Sequence, residues 1–104
     1  MNKIILLLVL LVFSPLSFSS PSFKGHVTAI DPSGMPSSIY FKMDVGDPTC
    51  YATKWLRWAN TNQDNLKVIY STLTTALVSG KEVVFFYADG DTACAGTFLH
   101  IESE

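Results

Sequence analysis

The chain has 104 residues, 48% of them apolar, with 7 Lys and Arg against 9 Asp and Glu and a net charge of −2. That length admits one domain and excludes a two-domain Rossmann enzyme, a TIM barrel or a long repeat array. The mildly acidic balance excludes a protein built mainly to neutralise phosphates.

The apolar residues are unevenly placed. Lys3 is the only charged side chain before Lys24, Ile4 to Phe13 is an unbroken apolar run of ten, and Ser14 to Ser19 turns small and breakable. These are the three regions of a secretory signal peptide over residues 1–19, with cleavage near Ser19/Ser20. Ten residues rise only about 15 Å as a helix, half of a roughly 30 Å hydrocarbon core, so no membrane anchor is expected after cleavage. The remaining domain, 20–104, keeps six cations against nine carboxylates, a charge of −3. A domain of this size needs help beyond its core. Cys50 and Cys94 are its only cysteines, and export to an oxidising compartment predicts a disulfide between them. Without CxxC spacing they make a poor zinc site.

In chain order, Lys24 to Ile30 reads as a strand rich in β-formers, and Asp31 to Ser37 as a loop dense in turn residues. Ser38 to Met43 alternates, with Ile39, Phe41 and Met43 on one face and Ser38, Tyr40 and Lys42 on the other. After a loop at Asp44 to Pro48, Thr49 to Trp58 is a third strand candidate. Thr61 to Asp64 resembles a capping box and opens a helix over about 62–79. Leu66, Ile69, Tyr70, Leu73, Ala76 and Leu77 form its apolar stripe, and Gly80 stands where a left-handed C-terminal residue is wanted. Lys81 to Ala88 is a fourth strand with no polar face, either central and covered on both sides or bordering another chain. A turn at Asp89 to Asp91 leads to a last strand, Gly96 to Glu102. The order β-β-β-α-β-β predicts a mainly β, five-stranded OB-fold-like Greek-key barrel.

The search for chemistry returns little. His26 and His100 fall on the first and last strands but lack HxH or HExxH spacing, so no metal site is expected and both histidines should face solvent. No GxSxG, glycine-rich phosphate loop or EF-hand pattern occurs, so neither an enzyme nor a cofactor is expected. Trp55, Arg57 and Trp58 offer a stacking patch with one cation, or else one tryptophan is core and the other borders it, and an exported acidic chain is a poor ligand for nucleic acid. The outer helix face is hydroxyl-rich: Lys67 is its only cation, and Ser71, Thr74 and Thr75 carry no charge to oppose packing against a second copy. Self-association through that face is expected.

The pattern Gly25-x-Val27, Ile39-Tyr40-Phe41, Cys50, Arg57-Trp58-Ala59, Ile69-Tyr70-Ser71-Thr72-Leu73, Ala76, Gly80-Lys81-x-Val83 and a late Cys94 resembles a group of small secreted bacterial OB-fold proteins that includes the receptor-binding subunits of subtilase-type AB5 cytotoxins. The resemblance implies a disulfide-bonded OB-fold, a homopentamer with central helices, a glycan ligand and a toxin-like catalytic partner chain. It also implies ligand contacts from the first strand. There Lys24, beside Phe23 and His26, occupies the place of a serine, and its cation suits an anionic sugar. With Trp55 and Arg57 these complete the candidate ligand-binding residues. A non-enzymatic binding module is therefore expected, the alternative being a periplasmic or extracellular adaptor or inhibitor that binds another protein.

Overall fold

A computed structural model describes residues 20–103; the predicted signal peptide, residues 1–19, lies outside them. The elements are β1 (Ser22–Asp31), β2 (Ser38–Met43), β3 (Leu56–Ala59), α1 (Gln63–Ser79), β4 (Glu82–Tyr87) and β5 (Gly96–Glu102). One sheet runs in the order β3-β2-β1-β4-β5, with antiparallel neighbours throughout. β1 serves both halves: Ser22 to His26 pair with β4, and Val27 to Asp31 pair with β2. A register shift between Val27 and Ala29 bends the strand between them, as a bulge does. The two ends of the sheet meet where Arg57 forms a parallel bridge with Ala95 and its N–H donates to the Cys94 carbonyl at 3.0 Å. The result is the expected OB-fold-like barrel of five strands and one helix.

The alternation read from β2 sets the core. Ile39, Phe41 and Met43 are buried, as are Val27, Leu56, Trp58, Val83, Phe85 and Tyr87 from the other strands. Phe41 meets Phe85 edge-on at 5.4 Å, the geometry that ring quadrupoles favour. α1 packs chiefly on β1 and β5, and buries Leu66, Ile69, Leu73 and Ala76. Tyr70 and Leu77, placed in the same stripe by sequence, stay 37% and 41% exposed. The buried line advances by three, four and three residues, and positions one step beyond it swing toward solvent. β4 is flanked by strands on both edges. Its outward residues, Val84 and Phe86, are half-buried, and Phe86 touches the rings of Phe98 and His100.

Two local expectations need correction. The cap of α1 is Asn62 rather than Thr61: its side chain accepts from the N–H of Asp64 and Asn65, and Asp64 occupies the first turn. Gly80 closes the helix in the left-handed region, as expected, with φ of 72°. The third strand is only Leu56–Ala59, because residues 49–55 are consumed by turns. Asp47 Oδ1 accepts from the N–H of Thr49 and Cys50, Lys54 N–H donates to the Tyr51 carbonyl, and Thr53 sits at φ of 70°. Aromatic and β-branched composition favours extension there, but the side-chain competitor for the backbone wins.

Cys50 and Cys94 are fully buried and disulfide-bonded, with Cα atoms 5.9 Å apart. The bond ties the β2–β3 connection to the β4–β5 connection, and it fits an oxidising compartment, extracellular or periplasmic.

Candidate functional site

β2 and β3 are paired in register as Phe41–Leu56, Tyr40–Arg57, Ile39–Trp58 and Ser38–Ala59. Since Phe41, Leu56, Ile39 and Trp58 face inward, the alternate positions turn outward: Tyr40 and Lys42 on β2, Arg57 on β3. Trp55, just before β3, lies under the Lys42 ammonium, which stands 4.5 Å from the ring centroid. Beyond it the turn at Tyr51 to Lys54 adds a second pair, with Lys54 Nζ 5.5 Å from the Tyr51 ring. Lys54 also donates to the Thr92 carbonyl at 2.8 Å, which ties this end of the face to the β4–β5 connection. Tyr40, Tyr51 and Trp55 remain 36%, 58% and 42% exposed.

The electrostatics of this face are mixed but weighted to cations. Lys42, Lys54 and Arg57 are half of the six Lys and Arg that follow the predicted signal. Among the described residues none of the three forms a salt bridge. Arg57 Nε is buried and bonds to no protein acceptor, so a donor is left uncommitted beside the rings. Asp31, opposite Tyr40 in the sheet, is the nearby carboxylate. The Ser33 hydroxyl and then the Ser33 N–H hold its carboxyl below the usual range.

The face runs off the end of the strand pair into a cleft of about 490 Å³, lined by Pro36, Ser37, Ala59, Asn60, Thr61 and Gln63. Its walls come from the β1–β2 loop and from the β3–α1 connection. Asn60 holds the rim: its Oδ1 accepts the Asn62 N–H at 2.9 Å and its Nδ2 donates to Asn65 Oδ1 at 3.1 Å. Asn65 Oδ1 also accepts the Trp58 indole N–H at 3.0 Å, which locks the rim to the core.

The five candidate residues from sequence do not form one site. Trp55 and Arg57 lie on the β2–β3 face. Lys24 and His26 lie on the outer face of β1, β4 and β5: Lys24 pairs with Glu102 at 3.5 Å, and His26 Nδ1 approaches Asp44 at 3.2 Å. His100 reaches Glu102 at 3.0 Å, so each histidine meets a carboxylate. The His100 hydrogen bond, with Lys24 adding to it against slight desolvation, holds the Glu102 carboxyl low. Phe23 turns inward, packing on Phe85 and Tyr87 at 5.6 and 6.2 Å. Sequence reasoning missed Tyr51, Lys54 and the cleft. Tyr40 and Lys42 were placed on the solvent face by alternation but not recognised as neighbours of Trp55.

On α1, Lys67, Ser71 and Thr75 are exposed as expected, whereas Thr74 is half-buried with its hydroxyl lacking a protein partner. Among the described residues no cluster of three His, Cys, Asp or Glu is placed to hold a metal, and no helix is long and apolar enough to cross a membrane. No known protein family, curated protein or solved structure matches the chain.

Proposed function

We propose that this protein is an exported, non-enzymatic module that binds glycans on the outer face of β2 and β3 and acts as a homo-oligomer. The observation that carries the reading is three exposed rings, each beside a cation, along β2, β3 and the turn before β3: Tyr40 opposite Arg57, Trp55 under Lys42 and Tyr51 under Lys54. The outward face of strands 2 and 3, with the adjoining loops, is where OB-folds receive oligosaccharides. Aromatic rings supply a flat apolar surface for the C–H face of a sugar at low entropic cost, and fixed cations and amides orient its hydroxyls. A glycan array with the processed protein tests it. Binding that Trp55→Ala lowers tenfold or more is expected; a uniformly blank array overturns the reading.

The oligomer rests on α1. Val68, Ser71, Thr75 and Val78 recur at the three- and four-residue steps of a coiled-coil seam, with Val68 and Val78 62% and 83% exposed. A homopentamer, with a catalytic partner chain docked on it, is the arrangement the sequence resemblance suggests.

The alternative, a protein-binding adaptor, draws on the opposite face, where Phe98 is 65% exposed. A pull-down from periplasm or culture fluid that Phe98→Ala abolishes would favour it over the glycan reading.

A further inference from the structure

Resting on the glycan reading, we infer that the cleft at the end of β2 and β3 is a second subsite for an uncharged sugar unit, and that the ligand is a linear oligosaccharide extended from Trp55 to Gln63 rather than a single terminal sugar. The register makes face and cleft continuous. Lys42 with Trp55 and Tyr40 with Arg57 are successive outward rungs; at the next pair Ala59 is exposed while Ser38 is buried, and Ser37 and Asn60 follow directly in the cleft wall. From Lys42 to Ser38 is about 13 Å at roughly 3.3 Å per residue, longer than one sugar ring spans.

The two ends differ in chemistry. The first carries rings and cations. The cleft carries none: Pro36 and Ala59 give it an apolar wall, Ser37 and Thr61 hydroxyls, and Asn60 and Gln63 amides. Hydroxyls and amides both donate and accept, matching sugar hydroxyls that do the same. An anion would look to the N-terminus of α1 beside the cleft. The Asn62 side chain already takes the N–H groups of Asp64 and Asn65, so little positive end remains for it. Asn60 is committed to bracing the rim, but the side chains of Ser37, Thr61 and Gln63 bond to no other described residue and are free for a ligand. At about 490 Å³ the cleft lies in the range of small-molecule sites.

The test uses an array of linear oligosaccharides from one to six units on several backbones, with the processed protein, Trp55→Ala, and a Thr61→Ala/Gln63→Ala double variant whose melting temperature is checked against wild type. For the backbone bound, affinity should rise tenfold or more between one unit and four. The double variant should lose that rise while keeping the affinity for the shortest ligand, whereas Trp55→Ala should weaken every length. Length-independent binding, or a double variant that keeps the rise, overturns the subsite and leaves glycan binding standing. An array blank for wild type overturns both.

Discussion

The Tyr87 hydroxyl, buried at the end of β4, donates to Asp47 Oδ2 in the loop after β2, 40 residues away in sequence. The other carboxylate oxygen accepts the N–H groups of Thr49 and Cys50 at 3.0 and 2.7 Å. One carboxylate therefore fixes the approach of Cys50 to its disulfide, and with it the turn that carries Tyr51 and Lys54 to the candidate site.

Tyr87→Phe and Asp47→Asn should each destabilise by about 1–3 kcal/mol, the range for a hydrogen bond to a charged, partly buried group. For a domain this small that is ~4–8 °C of melting temperature per kcal/mol. Burial tends to raise the Asp47 carboxyl, but the Tyr87 hydroxyl and the N–H groups of Cys50 and Thr49 outweigh it and hold it below 3.8. The folded state then binds a proton less readily than the unfolded one. The stabilisation is complete above the ordinary value and is lost as pH falls through the lower folded value. Burial first, and Asp47 second, push the Tyr87 phenol above 10.0, so its contribution is complete below that value and lost as pH rises beyond it. Thermal melts from pH 2 to 7 should show wild type losing stability in acid more steeply than Asp47→Asn; parallel curves would remove Asp47 from this role.

The Cys50–Cys94 bond closes a separation of 44 residues. In the chain-entropy model a loop of that size stabilises by about 4 kcal/mol, a large part of what a small domain has. A Cys50→Ser/Cys94→Ser variant should melt far below wild type in non-reducing buffer, and reductant should bring wild type down to the variant. It should also lose glycan affinity, because the bond anchors both connections that flank Trp55. Equal melting temperatures with and without reductant would contradict this.

Gly46 and Gly80 should fail for different reasons when changed to Ala. A Cβ on Gly46 would stand 2.3 Å from the Cys50 carbonyl oxygen and 2.5 Å from Ala52 N, both backbone atoms that cannot step aside. The variant should cost about 1–3 kcal/mol or more as an overpacking change. Gly80 has open space around it but a φ of 72°, so Gly80→Ala should cost about 1 kcal/mol of left-handed strain. Urea titrations that rank them in the reverse order would refute the packing argument at Gly46.

Asn62→Ala should lower stability by about 1 kcal/mol through loss of the cap, and Thr61→Ala by little. If the Thr61 variant proves the more destabilised in urea, the cap is misassigned.

The contrast at Thr61 and Asn62 marks what the sequence could convey. Period-2 alternation at Ser38 to Met43 and the spacing of Leu66, Ile69, Leu73 and Ala76 are repeated local signals, and both were legible in their centres; at the margins Ser38, assigned to the solvent face, is buried, and Tyr70 and Leu77, assigned to the stripe, are exposed. The choice between adjacent capping residues turns on one φ/ψ pair, which composition does not encode. Residues 49–55 misread as strand because Asp47, outside the segment, supplies the competing acceptor. The candidate site was half legible. Trp55 and Arg57 are close in sequence and were found. Tyr40 and Lys42 join them only through the β2–β3 register, and Lys24 leaves them because β1 bends at Val27.

The outer face of α1 is less polar than its composition. Thr72 donates to the Val68 carbonyl at 2.9 Å, Thr75 to Ser71 at 2.8 Å and Ser79 to Thr75 at 2.6 Å. With those hydroxyls turned back onto their own helix, the threonines present methyl groups between Val68 and Val78. Small residues at the centre of the seam let a second helix come close, and Lys67 is the one cation on it. Light scattering of the processed protein at micromolar concentration should give a multiple of the monomer mass, five times for the ring suggested by the resemblance. Thr75→Glu would set like charges against each other at every copy, in a position where each hydroxyl now meets no opposition. It should return the protein to a monomer while leaving the monomer folded, since the residue is exposed, and glycan affinity per site should persist as multivalent avidity falls. A wild-type protein that is monomeric at these concentrations would refute assembly through α1, and an oligomer that survives both Thr75→Glu and Val78→Glu would place the contact elsewhere on the barrel.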